Sequence, residues 1–313
     1  MSLAQTAFTR QVWINEPDVP VNVMDVAQQP NSYIWLCTGN GIYRYNGKTF
    51  TRIHDTTKAS NTAICASEEA VYIGYDNGQI AKVDEQETTP VTFKNGRINS
   101  SITALRMVLH NILLIATEGD GLYISINGTL LPVNSKNGLS DDFISDIALG
   151  KNMLLLTTDN GFNILSSKNG QVTVSTYNVQ DGLPDIITTC IAASANASTF
   201  WIGTQKGDVA IYEDRAGKVI SLKPNVSWNF GQVNDILAMS ANHAWAITDN
   251  DFLLELKRNG DSVYITSRLM PVKLKKIVKD KTNNLWCATG KGLFMSTALY
   301  ASSIPLPPSY KLS

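Results

Sequence analysis

The chain of 313 residues is 43% apolar and 17% charged, and its 26 Lys and Arg against 27 Asp and Glu leave a net charge of −1. That balance describes an ordinary globular chain with no basic footprint for nucleic acid. No window of 18 apolar residues occurs, so no helical membrane span and no direct membrane insertion are expected.

The opening Met1-Ser2-Leu3-Ala4-Gln5 has no apolar core of a signal peptide, and Ala4-Gln5 suits a mature start after signal cleavage. The first organised stretch is Val23 to Gln28, VMDVAQ, followed by Ile34 to Tyr45, IWLCTGNGIYRY. In the second, Ile34, Leu36 and Thr38 alternate with Trp35 and Cys37, a strand pattern whose two faces are both apolar and must both be covered. Thr38-Gly39-Asn40-Gly41 supplies turn chemistry, and Ile42-Tyr43-Arg44-Tyr45 opens a second strand. Phe50-Thr51-Arg52 continues as an outer strand.

The hairpin returns as VYIGYDNGQIAK from Val71, LLIATEGDGLYI from Leu113, LLLTTDNGFNIL from Leu154, WIGTQKGDVAIY from Trp201, WAITDNDFLLEL from Trp245 and WCATGKGLFM from Trp286. The turns end at Gly41, Gly78, Gly121, Gly161, Gly207, Asp251 and Gly292, a mean period of about 42 residues. An inner strand precedes each copy: AICASE, ITALRM, ISDIAL, TCIAAS, VNDILA and KKIVKD play the part of VMDVAQ. The expectation is an all-β, seven-bladed propeller of four-stranded antiparallel blades, each burying its faces against its neighbours.

After the last copy the prolines of Ser296 to Ser313 argue against a fourth strand in blade seven. Phe8-Thr9-Arg10 repeats Phe50-Thr51-Arg52, so Thr6 to Ile14 is expected to complete blade seven and close the ring. Residues 1–298 then form one propeller, and 299–313 a Pro-rich tail or linker.

Sites of chemistry are sparse. His54, His110 and His243 fall in three different blades without a metal-ligand partner at short spacing, and no zinc, phosphate-loop or nucleophile-elbow motif occurs. No cofactor, no metal site and no catalytic constellation are expected. Cys37, Cys65, Cys190 and Cys287 all lie in blade strands and read as buried free thiols. Asp25, Asp146 and Asp235 share one place in three inner strands, where the other blades are expected to carry Cys65, Ala104, Cys190 and Lys276. They read first as acceptors for a neighbouring blade's backbone and second as a ring of acids for a cation or polar ligand. Lys273-Leu274-Lys275-Lys276 reads as blade packing and solvated rim, and Asp76, Asp120, Asp159 and Asp249 as turn residues.

The loops into the inner strands share a mouth with the hairpin turns. The unusual ones are Gly96-Arg97-Ile98-Asn99, Gly138 to Phe143, Asp181 to Asp185 and Ser227-Trp228-Asn229-Phe230. They make Arg97, Asp142, Asp185, Trp228, Asn229 and Phe230 the candidate ligand-binding residues. An aromatic pair flanking an amide suits a sugar face, although Trp228 or Phe230 equally suits a cap over the gap between two blades.

Asn137 to Gly161, NGLSDDFISDIALGKNMLLLTTDNG, and Asp280 to Phe294, DKTNNLWCATGKGLF, resemble the two-component regulator propeller repeat. The resemblance runs from about Val21 to Met295, with Tyr72 and Tyr75, Leu155 and Asp251 departing from the repeat's Trp, Thr and Gly positions. It implies the periplasmic sensor region of a bacterial histidine kinase or hybrid regulator, often answering carbohydrate breakdown products and acting through attached domains, with a homodimer formed by those domains. The repeat residues are structural, so no binding residue is carried over. The reading that follows is a non-catalytic sensing module for a small molecule or oligosaccharide; the alternatives are a propeller enzyme, such as a lyase or glycan-active enzyme, and a protein-interaction scaffold.

Overall fold

Each signature strand has two apolar faces because it serves two cores. In Ile34–Thr38, Ile34 and Leu36 pack with Trp286, Ala288 and Leu293 of the last blade, whereas Trp35 and Cys37 pack with Ile64, Ile73 and Tyr75 of the next. The same division recurs round the molecule, so its seven hydrophobic clusters are the seven blade–blade interfaces. Burial of each Leu, Ile or Val in them contributes about 1.5–3 kcal/mol.

The computed structural model describes residues 10–12, 22–30, 33–84, 86–109, 111–168 and 171–296. Blade one is Val23–Gln28, Ile34–Thr38, Gly41–Tyr45 and Phe50–Ile53, hydrogen-bonded in that order. Blades two to six begin at the inner strands Asn61–Ala66, Ile102–Leu109, Ile144–Leu149, Thr188–Ala193 and Val233–Ser240 and repeat the four-strand meander. Blade six gains a short parallel segment, Lys223–Pro224, on the edge of its outer strand. Blade seven supplies Leu274–Lys279, Leu285–Thr289 and Gly292–Ser296, and its fourth strand is Arg10–Val12. The expected closure is present: Arg10, Gln11 and Val12 pair antiparallel with Met295, Phe294 and Leu293. The rest of the expected closing segment, residues 6–9 and 13–14, lies outside the described residues, as do His110 and the tail from 297.

The seven turn-ending positions all take left-handed backbone, from φ 64 at Asp251 to φ 130 at Gly41. At Gly161 a Cβ would also meet the Tyr177 carbonyl oxygen at 2.1 Å, so only glycine fits there. Asp251 adopts φ 64 in place of glycine, and its carboxylate accepts the Leu274 N–H.

All seven inner strands shift register at the same place, immediately before the Asp25 position. Aligned on that shift, the residue of blade two equivalent to Asp25 is Ala63, not Cys65, which stands two residues further on. The bulged residues are Met24, Thr62, Thr103, Ser145, Thr189, Asn234 and Lys275. Thr62 donates its hydroxyl to the Ile102 carbonyl (2.6 Å), Thr103 to Ile144 (2.5 Å), Ser145 to Thr188 (2.9 Å) and Thr189 to Val233 (2.6 Å). The Asn234 amide reaches the Leu274 carbonyl at 3.5 Å, and Lys275 crosses to Asn22 at 2.6 Å and to the Met24 sulfur. Blades two to seven are thus stitched to the first residues of the next, whereas at the junction of blades one and two stands Met24, which has no hydroxyl.

Two outcomes test this frame. Deleting residues 1–12 removes the fourth strand of blade seven, and the melting temperature should fall by several degrees; an unchanged transition would refute the closure. Thr103→Val keeps the shape and removes the hydroxyl, which should cost about 1 kcal/mol and lower Tm by about 1–3 °C, whereas Thr266→Val on an exposed outer strand should leave it unmoved.

Candidate functional site

One step along from the bulge, the inner strands place Asp25, Asp146, Asp235 and Lys276 round the channel, with Arg106 two positions beyond Ala104 in blade three. Each carboxylate accepts the N–H of the following blade's inner strand: Asp25 from Ile64 at 2.9 Å, Asp146 from Ile191 at 3.3 Å and Asp235 from Ile277 at 2.8 Å. The first reading of these acids, as acceptors for a neighbour's backbone, is the one the geometry realises. Two cations balance them. Lys276 meets Asp235 at 3.0 Å and Arg106 meets Asp146 at 3.0 Å, leaving Asp25 with backbone donors but, among the described residues, no cation within ion-pair distance. Arg106, Asp146, Asp235 and Lys276, though not Asp25, line a cavity of about 300 Å³ walled by Ile147, Ala148, Ala192 and Val278.

Burial raises the pKa of Asp235 to about 6 against the pull of Lys276, and burial likewise raises that of Asp25. Burial works against the Lys276 charge, yet Asp235, Asp146 and Asp25 together hold its pKa above the ordinary lysine value. Of the lysine run, Lys275 and Lys276 thus bond across blades, with Lys276 inside the channel, and Lys273 is exposed on the rim.

Above the bulge the channel opens into a larger cavity of about 530 Å³. Residues from blades one and four to seven and their entry loops line it, among them Met24, Phe143, Asp159, Gln205, Gln232, Asn234, Lys273 and Lys275. Asp159 and Gln205 come from hairpin turns, and Lys273, Lys275, Gln232 and Asn234 from entries to inner strands. No hydrogen bond or ion pair among the described residues engages the side chains of Asp159, Gln205 or Lys273. Burial, and next Asp141, raises the Asp159 pKa; burial, and next Lys273, lowers that of Lys275. This convergence of polar groups over an apolar ledge of Phe143, Ile187 and Leu274 can grip a small polar molecule.

The six residues singled out from the sequence all lie on loops opening to this face, but none lines the mouth cavity. Arg97 is exposed over a separate cleft of about 430 Å³ beside blade two, with Asn77, Gln79, Phe93 and Asn99. Asp142 accepts the Ser135 N–H and hydroxyl within its own loop. Asp185 is buried and takes donors from Ile186, the Lys206 N–H and the Lys206 ammonium. Trp228 stands five residues before its inner strand, the offset of the buried Leu139 and Leu183, and fills the corresponding gap between blades five and six. Its indole donates to the Gly231 carbonyl at 3.0 Å and lies against Gly207, and Phe230 packs edge-on between it and Phe252. Asn229 is exposed. The mouth residues escaped the sequence reading because they come singly from separate blades, with no local spacing to mark them.

Elsewhere, all four cysteines are free and buried, and burial raises the pKa of each, that of Cys65 to about 12. His243 pairs with Glu255 on blade six, away from the channel. Among the described residues no group of three or more His, Cys, Asp or Glu gathers as a metal site would, and no helix is long and apolar enough to cross a membrane.

The Asp235 carboxyl should titrate with a midpoint near 6, read by carboxyl carbon NMR, not near the ordinary 3.8. Because the folded state holds this proton more tightly than the unfolded chain, its contribution to stability is largest below 3.8 and is lost as pH rises through 6. A midpoint below 4 would show that Lys276 outweighs burial.

No family model and no curated protein matches the chain. Among solved structures it is similar to the extracellular domains of two proteins of B. thetaiotaomicron described as hybrid two-component systems. The first has a TM-score of 0.73 at 18% identity, over 90% of this chain and 39% of that one; the second has 0.71 at 16%, over 92% and 41%. It is similar also to streptogramin B lyase, with a TM-score of 0.72 at 14% identity over 90% of this chain and 95% of the enzyme. These likenesses establish the propeller fold, and the chain spans about two fifths of the length of the two extracellular domains.

Proposed function

We propose that this chain is a non-catalytic, extracytoplasmic ligand-sensing module of a two-component signalling protein, and that it takes a carbohydrate or similar hydroxyl-rich small molecule at the channel mouth. The observation that carries the reading is the mouth cavity, where side chains of several blades converge with their hydrogen-bonding capacity unspent. The repeat resemblance and the extracellular-domain neighbours support the setting. Arg97 and the exposed Asn229 extend the same face, Asp142 and Asp185 hold its loops in shape, and Trp228 and Phe230 brace its rim. A stiff ring with a ligand at one mouth signals by differential affinity: binding favours one arrangement of attached domains, or of a dimer they form, over another.

The lyase neighbour favours a second reading, a propeller enzyme. The cavity offers it one free carboxylate and two lysines but no histidine among the lining residues.

A thermal-shift screen against mono- and oligosaccharides, amino acids and divalent cations tests the proposal. A ligand at one hundred times its Kd adds about 2.7 kcal/mol to stability, which raises Tm by several degrees. A reproducible shift that Gln232→Ala abolishes supports the mouth as the sensor site. A folded chain that answers none of these classes overturns it.

A further inference from the structure

The mouth cavity has a charge map as well as a shape. On blade seven, Lys273 and Lys275 stand either side of the buried Leu274 and both line the cavity. Lys275 is half-buried and bonded to Asn22 and to the Met24 sulfur, while Lys273 is exposed and unengaged among the described residues. Burial, and next the Lys273 ammonium, lowers the pKa of Lys275. Three blades away round the ring, on blade four, stands Asp159, the only carboxylate among the described residues that line the cavity. The amides of Gln205, Gln232 and Asn234, on blades five and six, lie between the cationic and acidic ends, and Phe143 and Ile187 give the floor an apolar ledge.

Given that the mouth is the binding site proposed above, we infer that its ligand is an acidic sugar, whose carboxylate sits at Lys273 and Lys275 and whose hydroxyls bond the amides and Asp159. Two adjacent cations that raise each other's energy are relieved by one bound anion, and charge-assisted bonds from lysine are about twice as strong as neutral ones. Amides donate and accept, as hydroxyls require, and an ionised Asp159 only accepts, which suits a sugar hydroxyl facing it. The half-exposed Phe143 presents a ring to the C–H face of a pyranose. Lys276 and Arg106, deeper in the channel, do not compete for the anion, because Asp235 and Asp146 already neutralise them.

Isothermal titration calorimetry with D-glucuronate and D-galacturonate against D-glucose and D-galactose tests the inference, with glycylglycine as a zwitterion that also matches a cation at one end and an acid at the other. At least one uronate should bind tighter than its neutral counterpart. Lys273→Ala should weaken that uronate about tenfold and leave the neutral sugar unchanged, and Lys273→Glu should abolish it. Lys273 is solvent-facing, and an unchanged melting transition for both variants confirms that the fold survives.

Neutral sugars that bind as tightly as uronates, and lose affinity in Gln232→Ala but not in Lys273→Ala, would overturn the acidic ligand and leave the mouth as the site. Preference for glycylglycine would overturn it in favour of a peptide-like ligand. No binding by any of the five probes, or binding that no mouth variant alters, would overturn both this inference and the site.

Discussion

A four-stranded blade is one sheet thick and cannot bury either of its faces alone, and everything else in this protein follows from that. Apolar packing across the interfaces is non-directional and would tolerate some sliding of one blade on the next. The hydrogen bonds across the bulge remove that freedom. A residue inserted at the same point of every inner strand leaves the ladder, and in blades two to six its side chain reaches a first carbonyl of the following blade. The bulge therefore turns an unpaired residue into a stitch, and does so where the blades crowd most closely round the axis.

The channel carboxylates do the same work one residue later. A buried Asp is costly unless its lone pairs are met, and Asp25, Asp146 and Asp235 meet theirs with N–H groups of the next blade. Their charge accounts for Lys276 and Arg106, since a cation beside two of the three carboxylates offsets part of the desolvation. The consequence for function is a division of labour along the axis. Below the bulge the polar groups are committed to holding the ring; above it Asp159, Gln205 and Lys273 are not, and the chemistry open to a ligand lies there.

The fold was legible because its determinants are repeated. A two-faced apolar strand, a turn ending in glycine and a period of about 42 residues recur often enough that Leu155 in place of Trp, or Asp251 in place of Gly, does not hide them. The closing strand was legible as a segment, but the match of Phe8-Thr9-Arg10 to Phe50-Thr51-Arg52 is one residue out of register: Arg10 pairs with Met295, the equivalent of Arg44, and so takes the place of Thr51, while Phe8 and Thr9 lie outside the described residues. The bulge was not, because its residues are Met, Thr, Ser, Asn and Lys, which share a position but no single chemistry. One unseen inserted residue also explains the misalignment of Cys65 with Asp25. The mouth was hidden for a different reason: its residues are distant in sequence and become neighbours only through the ring. Loop composition drew attention instead to Trp228, whose offset from its strand, shared with Leu139 and Leu183, was the available sign that it plugs an interface.

Closure and recognition meet in one side chain. Lys275 is the bulged residue of blade seven, so its place in the pattern is to bond blade one; its length lets it do so while its ammonium stays at the cavity wall. The neighbouring bulge, Met24, offers that ammonium a sulfur instead of carrying the stitch on to Asn61. The ring is thus bonded differently on the two sides of blade one than anywhere else among the described residues, and this blade abuts the seam that the chain's first strand closes. A ligand that engages Lys275 acts on the contact between blade seven and blade one, while the ends of the chain are joined on the outer side of blade seven, where Arg10–Val12 pairs with Gly292–Ser296. That gives the mouth a direct physical link to the contact between the last blade and the first, because the ammonium both lines the cavity and bonds Asn22.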